Sequence, residues 1–189
     1  MEYQEQYQAY LAQAMTALDA ACARFLPETS EVCRAARYSL LGGGKRIRAV
    51  LVLSVCEMLG GDPQAAQAFA AAVEMLHCYS LIHDDLPCMD NDDLRRGRPS
   101  CHKAFGEATA MLAGDVLLTE AFEVIANAPA APQACVRAAR ALGAGAGSCG
   151  MVYGQELDLK YEALAASEEQ LRQIHRNKTG ALINAAVQM

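Results

Sequence analysis

From Pro63 to Asp85 the sequence reads PQAAQAFAAAVEMLHCYSLIHDD, with no glycine and no further proline until Pro87. Asp62 is suited to cap a helix and Pro63 to occupy its first turn, so the stretch predicts one long helix running to about Asp85. An apolar, alanine-rich helix of that length must be covered on several sides, which points to other helices as its neighbours.

The rest of the chain supplies them. Of its residues 53% are hydrophobic but only 6% aromatic, with no tryptophan, and long β-branched runs are scarce, a balance that favours helix over strand. Glycine and proline punctuate further helical blocks: residues 2–25, residues from Ser30 to the glycines at 42–44, Lys45 to Leu59, and His102 to Asn127. After the Pro129 and Pro132 loop, Gly143, Gly145, Gly147 and Gly150 bend the next block. A last one opens at Ser167, whose spacing to Gln170 fits a capping box. No fixed-period repeat or linker is present. The expectation is a single all-helical domain over residues 1–189, a bundle with its functional groups on inward faces.

The net charge of −6 argues against a nucleic-acid surface, so any phosphate ligand must meet a local basic pocket. Eight cysteines are scattered singly, without zinc or redox spacing, and most of them read as small buried residues. The N-terminal MEYQEQYQAYLAQAM is polar and acidic and does not read as a signal peptide. No apolar run reads as long enough to span a bilayer, so no stable membrane insertion is expected, and the free thiols suit a reducing cytoplasm.

Five aspartates and three arginines crowd the segment SLIHDDLPCMDNDDLRRGRPSCH. Carboxylates packed this densely repel one another unless cations lie between them, and magnesium suits oxygen donors shared with a substrate phosphate. A solvated acidic turn is the plainer alternative, but the adjoining arginines and apolar helix weigh against it. His77 and Asp84, seven residues apart, fall on nearly the same helix face.

Upstream, GGGKRIRAVL sets three glycines before Lys45, Arg46 and Arg48 at a helix start, an arrangement suited to anions. It lacks P-loop spacing, which excludes the usual nucleotide reading, and by itself it equally describes a glycine hinge with exposed cations. Downstream, GMVYGQELDL places Gln155 and Asp158 three residues apart. HRNKTGALINAAVQM puts Lys178 and Thr179 in a helix, an awkward location for Thr-Gly. Taken singly, a surface lysine and a core-edge glutamine explain these as well.

In this order and separation, GGGKRIR, HCYSLIHDDLPCMDNDDLRRG, GMVYGQELDL and HRNKTGAL resemble the trans-prenyl diphosphate synthases of the bacterial farnesyl and plant geranylgeranyl type. The resemblance implies an isoprenoid-synthase-type bundle around a central cavity. It also implies a reaction in which isopentenyl diphosphate and an allylic diphosphate condense with the help of Mg2+, by ionisation, condensation and elimination. It implies that Asp84, Asp85 and Asp90, with Cys88 and Met89 inserted between them, hold the metal. Arg95 would hold the allylic diphosphate, and Lys45, Arg48, His77 and Arg96 that of isopentenyl diphosphate. Lys178 and Thr179 would meet the allylic substrate and Gln155 the cation, with Asp158 a lesser candidate. Tyr79, five residues before the first aspartate, and its smaller neighbour Ser80 would set product length, the tyrosine stopping growth at farnesyl diphosphate. A homodimer is implied too.

One departure stands out. The family's second aspartate-rich motif is missing, since no aspartate follows Asp158, and the chain ends at Met189 inside what reads as a mid-protein helix. The bundle is therefore expected to lack its last helices and the chain alone to be inactive or impaired. Three alternatives are weighed: a geranylgeranyl diphosphate synthase, a non-catalytic partner subunit, and a terpene cyclase of the same fold. The cyclase fits poorly because it needs no second diphosphate site.

Overall fold

A computed structural model describes residues 3–162, 164 and 166–189. In chain order it comprises α1 (Tyr3–Phe25), α2 (Glu31–Leu40), α3 (Ile47–Met58), α4 (Pro63–Asp84), the strand pair β1 (Leu94–Arg95) and β2 (Arg98–Pro99), and α5 (Cys101–Phe105). There follow α6 (Glu107–Ala126), α7 (Pro132–Ala146), α8 (Met151–Tyr161), α9 (Glu168–Ile174), a π-helical segment (His175–Gly180) and α10 (Ala181–Gln188). The bundle is all-α apart from that two-residue pair. The first block was expected to start at residue 2, which lies outside the described residues.

Local signals place several starts. Ser30 accepts a hydrogen bond from the Cys33 amide at 3.3 Å and Asp62 one from Gln64 at 2.9 Å. Ser167 and Gln170 form the reciprocal capping box.

α4 is the axis, packing against α1, α2, α3, α6 and α10. Its alanines at 65, 66, 70, 71 and 72 are buried and keep the surrounding backbones close, while Met75 and Leu76 fill the centre with Leu18, Leu40, Leu117 and Leu142. Each such large side chain contributes about 1.5–3 kcal/mol by leaving water. Residues 63–84 correct one expectation. By length and composition this 22-residue helix could cross a bilayer, but most of it is buried within the bundle. Its apolar surface is spent on protein neighbours.

The single helix expected from His102 to Asn127 is two. Gly106 adopts φ 84°, ψ 158°, a backbone region open essentially to glycine, so α5 ends there and α6 starts afresh. The β1–β2 hairpin was also not foreseen. Arg96 and Gly97 both have positive φ, 56° and 76°, giving the turn the twist that two paired strands require.

Candidate active site

Four elements converge on a cavity of about 490 Å³. α3 supplies Arg48; α4 supplies His77, Tyr79, Ser80 and Asp84; α8 supplies Gln155; the π-helical segment supplies Lys178 and Thr179. Met89, Met151, Val152 and Leu159 complete an apolar portion of its wall.

At the charged end, Gln155 Nε2 donates to Asp84 Oδ1 at 2.5 Å. Lys178 Nζ lies 3.7 Å from Asp84 Oδ2 and donates to Asp158 Oδ2 at 2.6 Å, so one ammonium bridges acids from two helices. Burial pushes the Asp84 carboxyl above its ordinary pKa; Lys178 opposes this, and Asp90 and Asp85 add to the rise. For Lys178 burial favours the neutral amine, yet the Asp158 hydrogen bond and the fields of Asp84, Asp158 and Asp90 outweigh it and raise the pKa. A cation is therefore most comfortable beside Asp84.

Lys178 and Thr179 line the cavity from residues 175–180, a π-helical segment whose hydrogen bonds reach one residue further than those of an α-helix. This resolves the awkward Thr-Gly in HRNKTGAL. The segment rests directly on α8: a Cβ added at Gly154 would lie 2.0 Å from the Lys178 backbone nitrogen and 2.4 Å from its Cα. Gly154 was passed over in the sequence, where its sole mark is a glycine inside a helix directly before Gln155.

His77 is held neutral. Burial, then the positive fields of Arg48, Arg96, Arg46 and Arg95, push its pKa down to about 3. Because the folded pKa lies below the unfolded value of about 6.5, its contribution to stability is complete above that pH and is lost as pH falls towards 3. The expected NMR result is a His77 ring with no titration between about pH 5 and about pH 8; a midpoint near 6.5 would show that the ring is not buried among cations.

The remaining candidates are distributed differently. The Pro87 loop turns back so that the Asp90 amide donates to the Asp84 carbonyl at 2.9 Å, bringing the two acids to the same end of α4 although Asp90 is exposed. Asp85 faces the other way. It is buried and accepts from Arg95 Nε at 2.9 and 3.1 Å, and Arg95 also reaches Asp92 Oδ2 at 3.3 Å. Lys103, which sequence reasoning did not single out, pairs with Asp93 at 2.8 Å. The protein's own cations thus neutralise much of the acidic segment. Arg96 donates to the Gly43 carbonyl and lies over Gly44, where a Cβ would come within 2.6 Å of its guanidinium carbon. Two of the three glycines therefore seat an arginine from the hairpin. Lys45 is exposed, and its carbonyl accepts from the Tyr7 hydroxyl at 2.5 Å. Arg46, counted with the basic cluster in the sequence, is turned into the core instead.

The donor set suits magnesium as an ion shared with substrate. No group of three or more His, Cys, Asp or Glu side chains closes on a metal among the described residues. One partly buried carboxylate, with Asp90 beside it, offers hard oxygen ligands and leaves most of an octahedron to water and phosphate.

The family profile described as polyprenyl synthetase matches residues 29–189. Geranylgeranyl pyrophosphate synthase 3, chloroplastic, from Arabidopsis thaliana is 51% identical over 167 residues, 85% of this chain and 46% of that protein. Farnesyl diphosphate synthase from Micrococcus luteus is 49% identical over 164 residues, 87% of this chain and 56% of that protein. The chain thus spans about half the length of these curated relatives. The crystal structure of a geranyltransferase from Legionella pneumophila superposes with a TM-score of 0.93 at 44% identity, covering 98% of this chain and 67% of that one. With the profile covering most of its length and a solved relative sharing its bundle, the chain belongs to the polyprenyl synthetase family.

Proposed function

We propose that this chain forms the substrate-binding part of a short-chain trans-prenyl diphosphate synthase that condenses isopentenyl diphosphate with an allylic diphosphate. The observation that carries this reading is the cavity itself, with Asp84, Lys178, Gln155, Arg48 and His77 gathered on a pocket whose remaining wall is apolar. One molecule with a charged head and a hydrocarbon tail satisfies both parts.

Asp84 and Asp90, with Asp85 if it exchanges partners with Arg95, would hold Mg2+, which when bound neutralises the departing diphosphate. Lys178 supplies a fixed positive charge at the same end, worth most where water is excluded. Arg48 and Lys45 would grip the second diphosphate, and Arg96 and Arg95 add positive field from behind. His77, being neutral, contributes an N–H rather than a charge. Gln155 and the Thr179 hydroxyl direct dipoles towards the reacting carbons. The apolar wall keeps water from the allylic cation until the isopentenyl double bond attacks, and the proton lost afterwards passes to the released diphosphate.

Farnesyl diphosphate is the product this reading favours, because Tyr79 places a ring in the cavity wall, packed edge-to-face on His83 at 5.6 Å. A geranylgeranyl product is the alternative, since synthases named for either product are among the relatives. The intact Asp84–Lys178–Gln155 cluster favours an enzyme over a purely non-catalytic partner subunit. A homodimer acting in the cytoplasm completes the proposal. The chain's own turnover is expected to be low because it contains no second aspartate-rich motif.

Calorimetric titration with prenyl diphosphates of increasing length, in magnesium, tests both site and length. The wild-type chain should bind geranyl and farnesyl diphosphates and discriminate against geranylgeranyl diphosphate. Tyr79→Ala should narrow that discrimination at least about tenfold, since each newly buried CH₂ brings about 0.8 kcal/mol. An unchanged ratio would remove Tyr79 from the length assignment, and no binding of any of them would remove the function.

A further inference from the structure

α3 starts without a cap of its own. Its N-cap residue is Arg46, whose side chain cannot accept a hydrogen bond and whose backbone is left-handed, φ 50° and ψ 34°. That conformation is unfavourable for a residue with a Cβ and persists only where its surroundings impose it. Here they do. Arg46 is 4% exposed, and its guanidinium donates to the Leu40 carbonyl and, at 3.3 Å, to Glu74 Oε2. Glu74, on α4 and 2% exposed, uses its other oxygen to accept from the Ala49 amide at 3.2 Å. Ala49 is the third residue of α3, whose N–H an N-cap side chain would ordinarily satisfy.

One carboxylate from a neighbouring helix therefore does two jobs at the start of α3. It caps the helix, adding a negative charge at its positive end, and it neutralises the arginine that turns the chain into it. Between these two anchors stand Ile47 and Arg48, and Arg48 lines the cavity. Its Nε is buried with no partner. His77 lines the same cavity and stands three residues after Glu74 on α4, so one helix carries both the cap and the ring that Arg48 faces.

We propose that Glu74 is a positioning residue for diphosphate recognition: by capping α3 from outside and pairing with Arg46, it fixes Arg48 beside His77 in the cavity. The inference rests on the reading above, in which Arg48 and His77 meet a substrate diphosphate, and it adds the residue that aims them. A merely structural ion pair would be replaceable by apolar residues without loss of binding; a positioning pair would not.

Inorganic diphosphate without magnesium is the probe, because the carboxylate end of the cavity repels it and the Arg48 end is left to bind it. Calorimetry on the 189-residue chain should show saturable binding. Glu74→Gln, which keeps an oxygen for the Ala49 amide, should stay within about threefold of wild type, and Glu74→Leu should lose both affinity and urea resistance. The double variant Arg46→Met with Glu74→Leu should recover much of the unfolding midpoint lost in Glu74→Leu, short of the part owed to the Ala49 cap, yet bind diphosphate at least about tenfold more weakly than wild type. Wild-type affinity in the stable double variant overturns the positioning role and leaves the functional reading intact. No binding by the wild type overturns the reading of Arg48 and His77, and this inference with it. If the double variant does not fold, Glu74→Gln decides through hydrogen exchange at Ala49. Amide protection and diphosphate affinity that hold or fall together support the proposal, and lost protection with unchanged affinity contradicts it.

Discussion

Asp84→Ala is expected to weaken magnesium-dependent binding of an allylic diphosphate by at least about 100-fold while strengthening magnesium-free binding of the same anion. The two effects have one cause. Asp84 is the carboxylate of the aspartate-rich segment that lines the cavity, and its oxygens face Gln155 and Lys178. Removing it deletes a proposed metal ligand and leaves Asp90 exposed beyond it, and metal-bridged phosphate contacts are worth several kcal/mol. It also frees Lys178 from one of its two acids, making the site more positive by one charge. Calorimetry with and without magnesium separates these terms. A variant that lost both kinds of binding equally would indicate a misfolded cavity rather than a missing ligand, and Lys178–Asp158 pairing, which the substitution should spare, can be followed by NMR of the ammonium.

Gly154→Ala should be equally damaging, although the added methyl carries no charge. At that position α8 lies against the backbone of Lys178, and a Cβ would sit 2.0 Å from its nitrogen. Neither helix can yield by rotating a side chain, so the two must separate. Overpacking of this kind costs about 1–3 kcal/mol or more, and the separation would draw Lys178 and Thr179 out of the cavity. Gly143→Ala is the matched control. Gly143 lies inside α7, where a Cβ would meet only Phe122 ring carbons at 4.0 Å. It should stabilise by about 0.5–1 kcal/mol, through the lower backbone entropy of alanine. Urea unfolding of both variants should therefore move in opposite directions, with allylic diphosphate affinity lost in the first and kept in the second. Equal behaviour would mean that the α8 crossing does not depend on glycine.

These cases show which kinds of information a one-dimensional reading can reach. Caps at Asp62 and Ser167, and a helix start near Ser30, were legible because in each case donor and acceptor lie within three residues of each other. The spacing from His77 to Asp84 was legible because helical periodicity puts both on one face, and both line the cavity. The order of the four motifs carried the family. What escaped depends on partners far apart in the chain. Nothing local says that Glu74 will cap a helix beginning near residue 46, that Arg95 will claim Asp85 away from the cavity, or that Gly44 is the seat of Arg96. Gly106 was missed for a different reason: the apolar pattern continues through it, and only its positive φ reveals that the helix stops and restarts. Gly154 sits in a motif already picked out, yet its purpose lies in the backbone of a segment that follows more than twenty residues later.

Functional assignment rests on one electrostatic statement, that a divalent cation and a prenyl diphosphate together complete the charge balance around Asp84. The most direct check is a calorimetric titration of the chain with a non-reactive allylic diphosphate analogue at fixed magnesium, repeated in chelator. Saturable uptake of one analogue per chain that disappears when magnesium is removed is the expected result. Uptake unaffected by chelator, or none in either condition, would contradict the account.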